Sequence, residues 1–182
     1  MQIYESDDSD EAIRLYSPTK FALENMEEVR TEIKQSLDLE GWEGSGWPRS
    51  GFPYQWRNVR RAFNLIPEHN KYDMVLRVRY DIKYIHPINF ADYDSQLLNI
   101  PKNGDWCDGI NDMIALSSYE NMKVYCNLYP HIHQISTDGN PELMLRRYLE
   151  STSLSIHRIT YPIIFRHCDH TGTVYDDMEW AR

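Results

Sequence analysis

Several signatures that would assign a mechanism at sight are missing from this sequence. It has no GxGxxG, no GxxxxGK[ST] and no GxSxG. The glycine-rich phosphate cradles and the nucleophile elbow therefore have no motif support. Apolar runs are short, none near the ~18 residues that span a bilayer. No basic start leads into an apolar stretch, so no secretion signal is visible. Cysteine is scarce: Cys107, Cys126 and Cys168 are an odd, widely spaced set. They fit reduced thiols better than a disulfide framework, which predicts a cytoplasmic protein. Cations are in deficit, 19 Lys and Arg against 28 Asp and Glu for a net charge of −9. A chain that coats nucleic acid needs the opposite balance, so no nucleic-acid partner is expected.

What is present suits one folded domain. The chain has 182 residues, 41% of them hydrophobic and 13% aromatic, enough apolar material for a core. The first dozen residues carry five acids and read as a short strand or a frayed start. In residues 24–39, Met26, Val29, Ile33 and Leu37 recur at helical spacing. Residues 41–53 (GWEGSGWPRSGFP) read as an ordered loop. Trp56, Val59, Phe63 and Ile66 then mark one face of a second helix, with Arg57, Arg60 and Arg61 around it and Pro67 at its end.

Residues 72–80 (YDMVLRVRY) alternate most cleanly and predict a strand inside the sheet, one face apolar and the other basic. Short strands are expected at 82–86 and 97–100, and a buried one at 113–116 (MIAL). Ser117 and Glu120 match a capping box, opening a helix that presents Met122, Tyr125, Tyr129 and Ile132. Asn140-Pro141-Glu142 is another helix start. One or two strands follow within 154–165, broken at Pro162, and residues 167–182 read as a polar, irregular tail. Helices interleaved with strands predict a single mixed α/β domain.

Three places carry candidate chemistry. Arg79-Tyr80-Asp81 stands at the end of the best strand, where ligands of α/β sheets sit. A carboxylate there can hold a hard cation and an arginine can fork onto a phosphate, while a plain strand-end salt bridge uses the same letters. Asp112 precedes the buried MIAL run after a Gly-containing turn. It can act as a general base, or as a turn residue bonding its own backbone. His167-Cys168-Asp169-His170 has metal-ligand vocabulary, but no second pair stands at zinc-finger spacing. Glu142 is placed as a favourable charge at a helix N-terminus.

Taken in order, YDMVLRVRYDI, WCDGINDMIALSSYENM, NPELMLRRYLE and SIHRITYPIIFR resemble a group of bacterial and viral glycosyltransferases. The resemblance covers roughly residues 54–166, with a fainter echo at LYSPTKFALEN. It implies a GT-A-like, Rossmann-related mixed sheet flanked by helices, a nucleotide-sugar donor, a carbohydrate or other hydroxyl acceptor, and Mn²⁺ or Mg²⁺. Carried over by position, Asp81 takes the last carboxylate of a DxD-type metal motif, with His167 as a C-terminal metal ligand. Arg79 stands where the first carboxylate would be, leaving the site one negative charge short, and Arg77 and Arg79 face the donor's diphosphate. Asp112 matches the acceptor-side acid and Glu142 the acid of the later helix.

The group's opening strand and Gly/Arg turn find no counterpart here, so the resemblance implies a fold short of its first strand or strands. The expectation is a metal-assisted glycosyltransferase. The alternatives are a truncated, inactive relative that binds nucleotide or carbohydrate or pairs with another chain, and an unrelated α/β interaction module.

Overall fold

The structure, a computed structural model, describes residues 2–4, 9–37, 51–67, 72–79, 82–84, 87–102, 104–105, 107–135, 140–160, 163–168 and 174–177. The chain divides into two compact units: residues 1–71 with 126–139, and residues 72–125 with 140–182.

The first unit pairs β1 (Gln2–Tyr4) with β2 (Ala22–Glu24) in parallel, with α1 (Ser9–Tyr16) between them in sequence. The acid-rich start is thus a strand followed by a helix, Asp10 and Glu11 lying in its favourable first turn. Helix α2 (Met26–Leu37) begins two residues later than its periodicity predicts. Asn25 sets the start, its Oδ1 accepting from the Glu27 amide at 2.9 Å. Helix α3 (Gly51–Asn64) extends into the stretch expected to be loop: Gly51, Phe52 and Pro53 form its first turn, and residues 41–50 lie outside the described residues. Pro53 is compatible with that turn, where its missing N–H costs no helical bond. A 3₁₀ segment (Cys126–Gln134) completes the unit. Its Tyr129 hydroxyl meets Ser36 Oγ of α2 at 2.9 Å. Val29, Ile33, Phe52, Trp56, Phe63, Leu128 and Ile132 are buried.

Arg57 departs from its expected place at the helix edge: it is 3% exposed. Its Nη1 donates to Glu24 Oε2 at 2.7 Å, its Nε donates to Glu32 Oε1 at 2.9 Å, and Nη2 reaches both acids. Arg61 Nη2 adds a second cation on Glu24 at 2.7 Å. One guanidinium so ties β2 and α2 to α3.

The second unit holds a mixed four-strand sheet with two helices, α4 (Tyr119–Tyr125) and α5 (Pro141–Glu150). Its strands are β3 (Val75–Val78), β5 (Leu98–Pro101), β6 (Ile114–Ser117) and β7 (Ile156–Ile159), and β4 (Ile82–Tyr84) falls between β3 and β5 in sequence. The order is β3-β6-β5-β7: β6 runs antiparallel to β3 and β5, and β5 runs parallel to β7. The strand expected inside the sheet is therefore at its end, pairing among the described residues with β6 alone. Its alternating arginines and the exposed Val78 suit an edge, where charge discourages further pairing.

Buried Asn99 stitches the middle of this sheet. Its Nδ2 donates to the carbonyls of Asp94, Leu97 and Leu116, and its Oδ1 meets His157 Nδ1 at 3.0 Å. Helix α4 (Tyr119–Tyr125) starts one residue later than the capping-box spacing suggests. Ser117 closes β6 and gives its hydroxyl to the Ser95 and Leu97 carbonyls, so Ser118 Oγ accepts from the Asn121 amide instead. Helix α5 (Pro141–Glu150) starts as predicted, Asn140 Oδ1 accepting from the Leu143 amide at 2.7 Å.

The supposed irregular tail contains strand. β8 (Ile163–Cys168) pairs antiparallel with β4 and with β9 (Val174–Asp177), matching His167 to Tyr175 and Cys168 to Val174. β8 thus carries the strand expected within 154–165 on into the tail, and β9 lies wholly within it. Among the described residues no helix is long and apolar enough to cross a membrane.

Replacing Arg57 by Met leaves Glu24 and Glu32 without their shared cation. Removing one partner of a buried pair leaves the other charge uncompensated, so a loss of about 3 kcal/mol is expected in urea unfolding. The Arg57 hydrogen bond holds the Glu32 carboxyl below its usual value of 4.5, against a smaller opposing effect of burial. That stabilisation is present above pH 4.5 and is lost as the pH falls through the lower folded-state value. Arg57→Met is expected to flatten this acid limb.

Candidate functional site

The register of the four-strand sheet defines where its residues gather. β3, β5 and β7 point one way and β6 the other. The carboxyl ends of three strands therefore meet the start of β6 at one edge. Arg79 follows β3 there, Lys102 and Asp105 follow β5, and Asp112 leads into β6. Backbone bonds close the edge: the Arg79 amide donates to the Met113 carbonyl at 3.2 Å and the Lys102 amide to the Ile159 carbonyl at 2.7 Å.

The loop before β6 is held against the first turn of α5. The Ile110 amide donates to the Glu142 carbonyl at 3.1 Å, and Arg146 Nη1 to the Asp108 carbonyl at 2.8 Å. Gly109 makes the approach possible: a Cβ there would lie 2.4 Å from both the main-chain carbon and the Cβ of Glu142. Just before it, Cys107 and Asp108 have φ of 49° and 59°, a left-handed pair that non-glycine residues seldom adopt. Such backbone persists where its surroundings over-determine it.

This contact brings Asp112 and Glu142, 30 positions apart, into electrostatic reach. Asp112 is 3% exposed and Asn111 fully buried. The Glu142 carboxyl is pushed above its ordinary value of 4.5, first by burial and then by the Asp112 charge; Asp105 adds to this and Arg79 opposes it. Glu142 therefore keeps its proton to higher pH than a solvated carboxyl. On the basic face of β3, Arg77 is opposite Ala115, and its Nη1 is buried with no hydrogen-bond partner among the described residues.

The sequence-predicted set is thus brought together in part. Arg79, Asp112 and Glu142 share one neighbourhood, with Arg77 two residues before Arg79. Asp81 lies outside the described residues. His167 is placed only as backbone, in β8. Asp105 and Arg158 escaped notice in the sequence. Asp105 Oδ1 accepts from the Asn111 amide at 2.8 Å and from Arg158 Nη2 at 2.6 Å. The signal available was an acid shortly before Gly109, but its partner on β7 is 53 residues away.

The resemblance implies a divalent cation held by Asp81 and His167, whose side chains lie outside those described. Among the described residues no three His, Cys, Asp or Glu side chains gather closely enough to hold one. Asp105 is already engaged by Arg158. Comparison with protein-family models, curated proteins and solved structures gives no match for this chain.

Gly109→Ala forces a methyl group into the α5 backbone, where the atoms it meets are the main-chain carbon and Cβ of Glu142 and the Leu143 nitrogen, none the far end of a flexible side chain. Overpacking of this kind costs ~1–3 kcal/mol, measurable as a lower unfolding midpoint. Glu142→Gln tests the electrostatics. A raised carboxyl contributes stability that is full below pH 4.5 and is lost as the pH rises through the folded-state value. The wild type is expected to lose stability over that window, whereas Glu142→Gln holds level and is the more stable at neutral pH.

Proposed function

We propose that the chain is a glycosyltransferase-like domain with a GT-A-type arrangement. Its acceptor end would be built on Asp112 and Glu142, and its donor diphosphate would face Arg77 and Arg79. One observation carries the reading: the two acids and Arg79, which the sequence resemblance marks separately, fall together at the carboxyl ends of β3, β5 and β7. Binding crevices of open α/β sheets lie there.

In this reading Asp112 accepts the proton of the acceptor hydroxyl as the sugar–phosphate bond breaks. Glu142, beside it, hydrogen-bonds the acceptor or the sugar. Arg79 and Arg77 supply fixed positive charge where the departing diphosphate gathers negative charge. The buried, unpaired Nη1 of Arg77 supports that role, since an anion would satisfy it. Asp81 takes the donor end, and Mn²⁺ or Mg²⁺ dependence, on the resemblance alone. No step above runs through a cation.

The near-complete burial of Asp112 favours a second reading, a domain that binds nucleotide or carbohydrate without turnover. Thermal shift against a panel of nucleotide sugars, with and without Mn²⁺, followed by turnover of the stabilising donor, separates the two. Stabilisation by one nucleotide family with transfer by the wild type is expected. Asp112→Asn should then lower transfer ~10²- to 10⁴-fold, the usual weight of a general base. Asp81→Asn should lower it ~100- to 1,000-fold without unfolding the chain. Stabilisation without turnover supports the binding reading, and no response to any nucleotide sugar contradicts both.

A further inference from the structure

The residues flanking Asp112 show what fixes its place. The Asn111 amide before it donates to Asp105 Oδ1 at 2.8 Å, and the Met113 amide after it donates to Asn111 Oδ1 at 2.8 Å. Asp105 is itself held from β7: Arg158 Nη2 donates to the same Oδ1 at 2.6 Å and also to the Pro101 carbonyl at the end of β5. A continuous path of hydrogen bonds thus runs from the ends of two parallel strands, through Arg158 and Asp105, to the peptide next to Asp112.

On its other side the loop is fastened to α5 through the Ile110 amide, the Asp108 carbonyl and the Gly109 contact. Asp112 stands between a sheet anchor and a helix anchor, and Asp105 links the loop to β7. Its partial exposure, 36% against 31% for Arg158, marks it as a poor source of overall stability, because ion pairs this open are weakened by solvent.

We propose that Asp105, fixed by Arg158, is a positioning residue for the acid Asp112. This rests on the reading of Asp112 as the general base of the proposed transfer. The acceptance of the Asn111 N–H does the positioning. The negative charge of Asp105 serves chiefly to recruit the guanidinium. A displacement of about 1 Å in a reacting group can cost ~100-fold in rate, so one retained or lost acceptor is enough to matter.

Two substitutions separate acceptance from charge. Asp105→Asn removes the charge and keeps an oxygen for the Asn111 amide. Asp105→Ala removes the same charge and the acceptor with it. In the full chain, exchange of the Asn111 amide followed by NMR is expected to stay close to wild type in Asp105→Asn and to speed up about tenfold or more in Asp105→Ala. With a donor that the wild type turns over, kcat is expected to fall about tenfold or more in Asp105→Ala alone, the donor KM and the unfolding midpoint staying put. A purely structural role would not produce that split.

Equal exchange and equal kcat in the two variants would overturn the proposal. If Asp105→Ala does not fold, Arg158→Met asks the same question, leaving the acid but freeing it from β7. Faster Asn111 exchange in Arg158→Met supports the proposal and wild-type protection overturns it. A wild-type chain that turns over no donor counts against the transferase reading, and amide exchange then decides the positioning role by itself.

Discussion

The main chain of Gly109 lies so near the first turn of α5 that a single added carbon would sit 2.4 Å from Glu142. Everything distinctive about the second unit depends on that approach. It sets the Ile110 amide on the Glu142 carbonyl, accommodates two left-handed residues just before it, and delivers Asp112 to the start of β6 beside an acid 30 positions away. Without it the strand ends would carry separate surface charges. With it they carry two carboxyls in one partly dry place, where mutual repulsion and desolvation keep Glu142 protonated further up the pH scale.

The two units treat buried charge in opposite ways. In the first, Arg57 meets Glu24 and Glu32 through both ends of its guanidinium, and Arg61 balances the excess negative charge. Each ion there is compensated, and the result is a structural tie. In the second, the Asp112 and Asp105 charges push the Glu142 carboxyl up while Arg79 opposes them, and Asp105 is paired with Arg158. A fold has little structural reason to place like charges together, and such arrangements cluster where proton transfer or ligand binding needs them. That contrast separates the candidate site from the rest of the molecule more clearly than burial does.

Much of the local structure was legible because it rests on spacing. Met26, Val29 and Ile33 fixed α2, Trp56 and Phe63 fixed α3, and Asn140-Pro141 fixed the start of α5, since caps and helical faces are written within a few residues. The misplacements have non-local causes. β3 alternates well enough for a central strand, yet its position in the sheet depends on which partners β6 takes. Ser117 has the right offset for a cap, but the Ser95 and Leu97 carbonyls ahead of β5 take its hydroxyl. Arg57 reads as a solvated residue until Glu24 and Glu32 are seen to surround it, and β9, in the polar tail, gains its pairing from β8. At the site, Asp112 and Glu142 could be marked singly, whereas Asp105 and Arg158 gain meaning only through a contact spanning 53 residues.

The pairing of Asp112 with Glu142 is most directly read by a carboxyl ¹³C titration of Glu142 in the wild type and in Asp112→Asn. The wild-type midpoint is expected above 4.5, and it is expected to move down when the Asp112 charge is removed, burial and the Asp105 charge remaining to hold it up. A wild-type midpoint at or below 4.5, or one that Asp112→Asn leaves where it was, would contradict the coupling of the two acids.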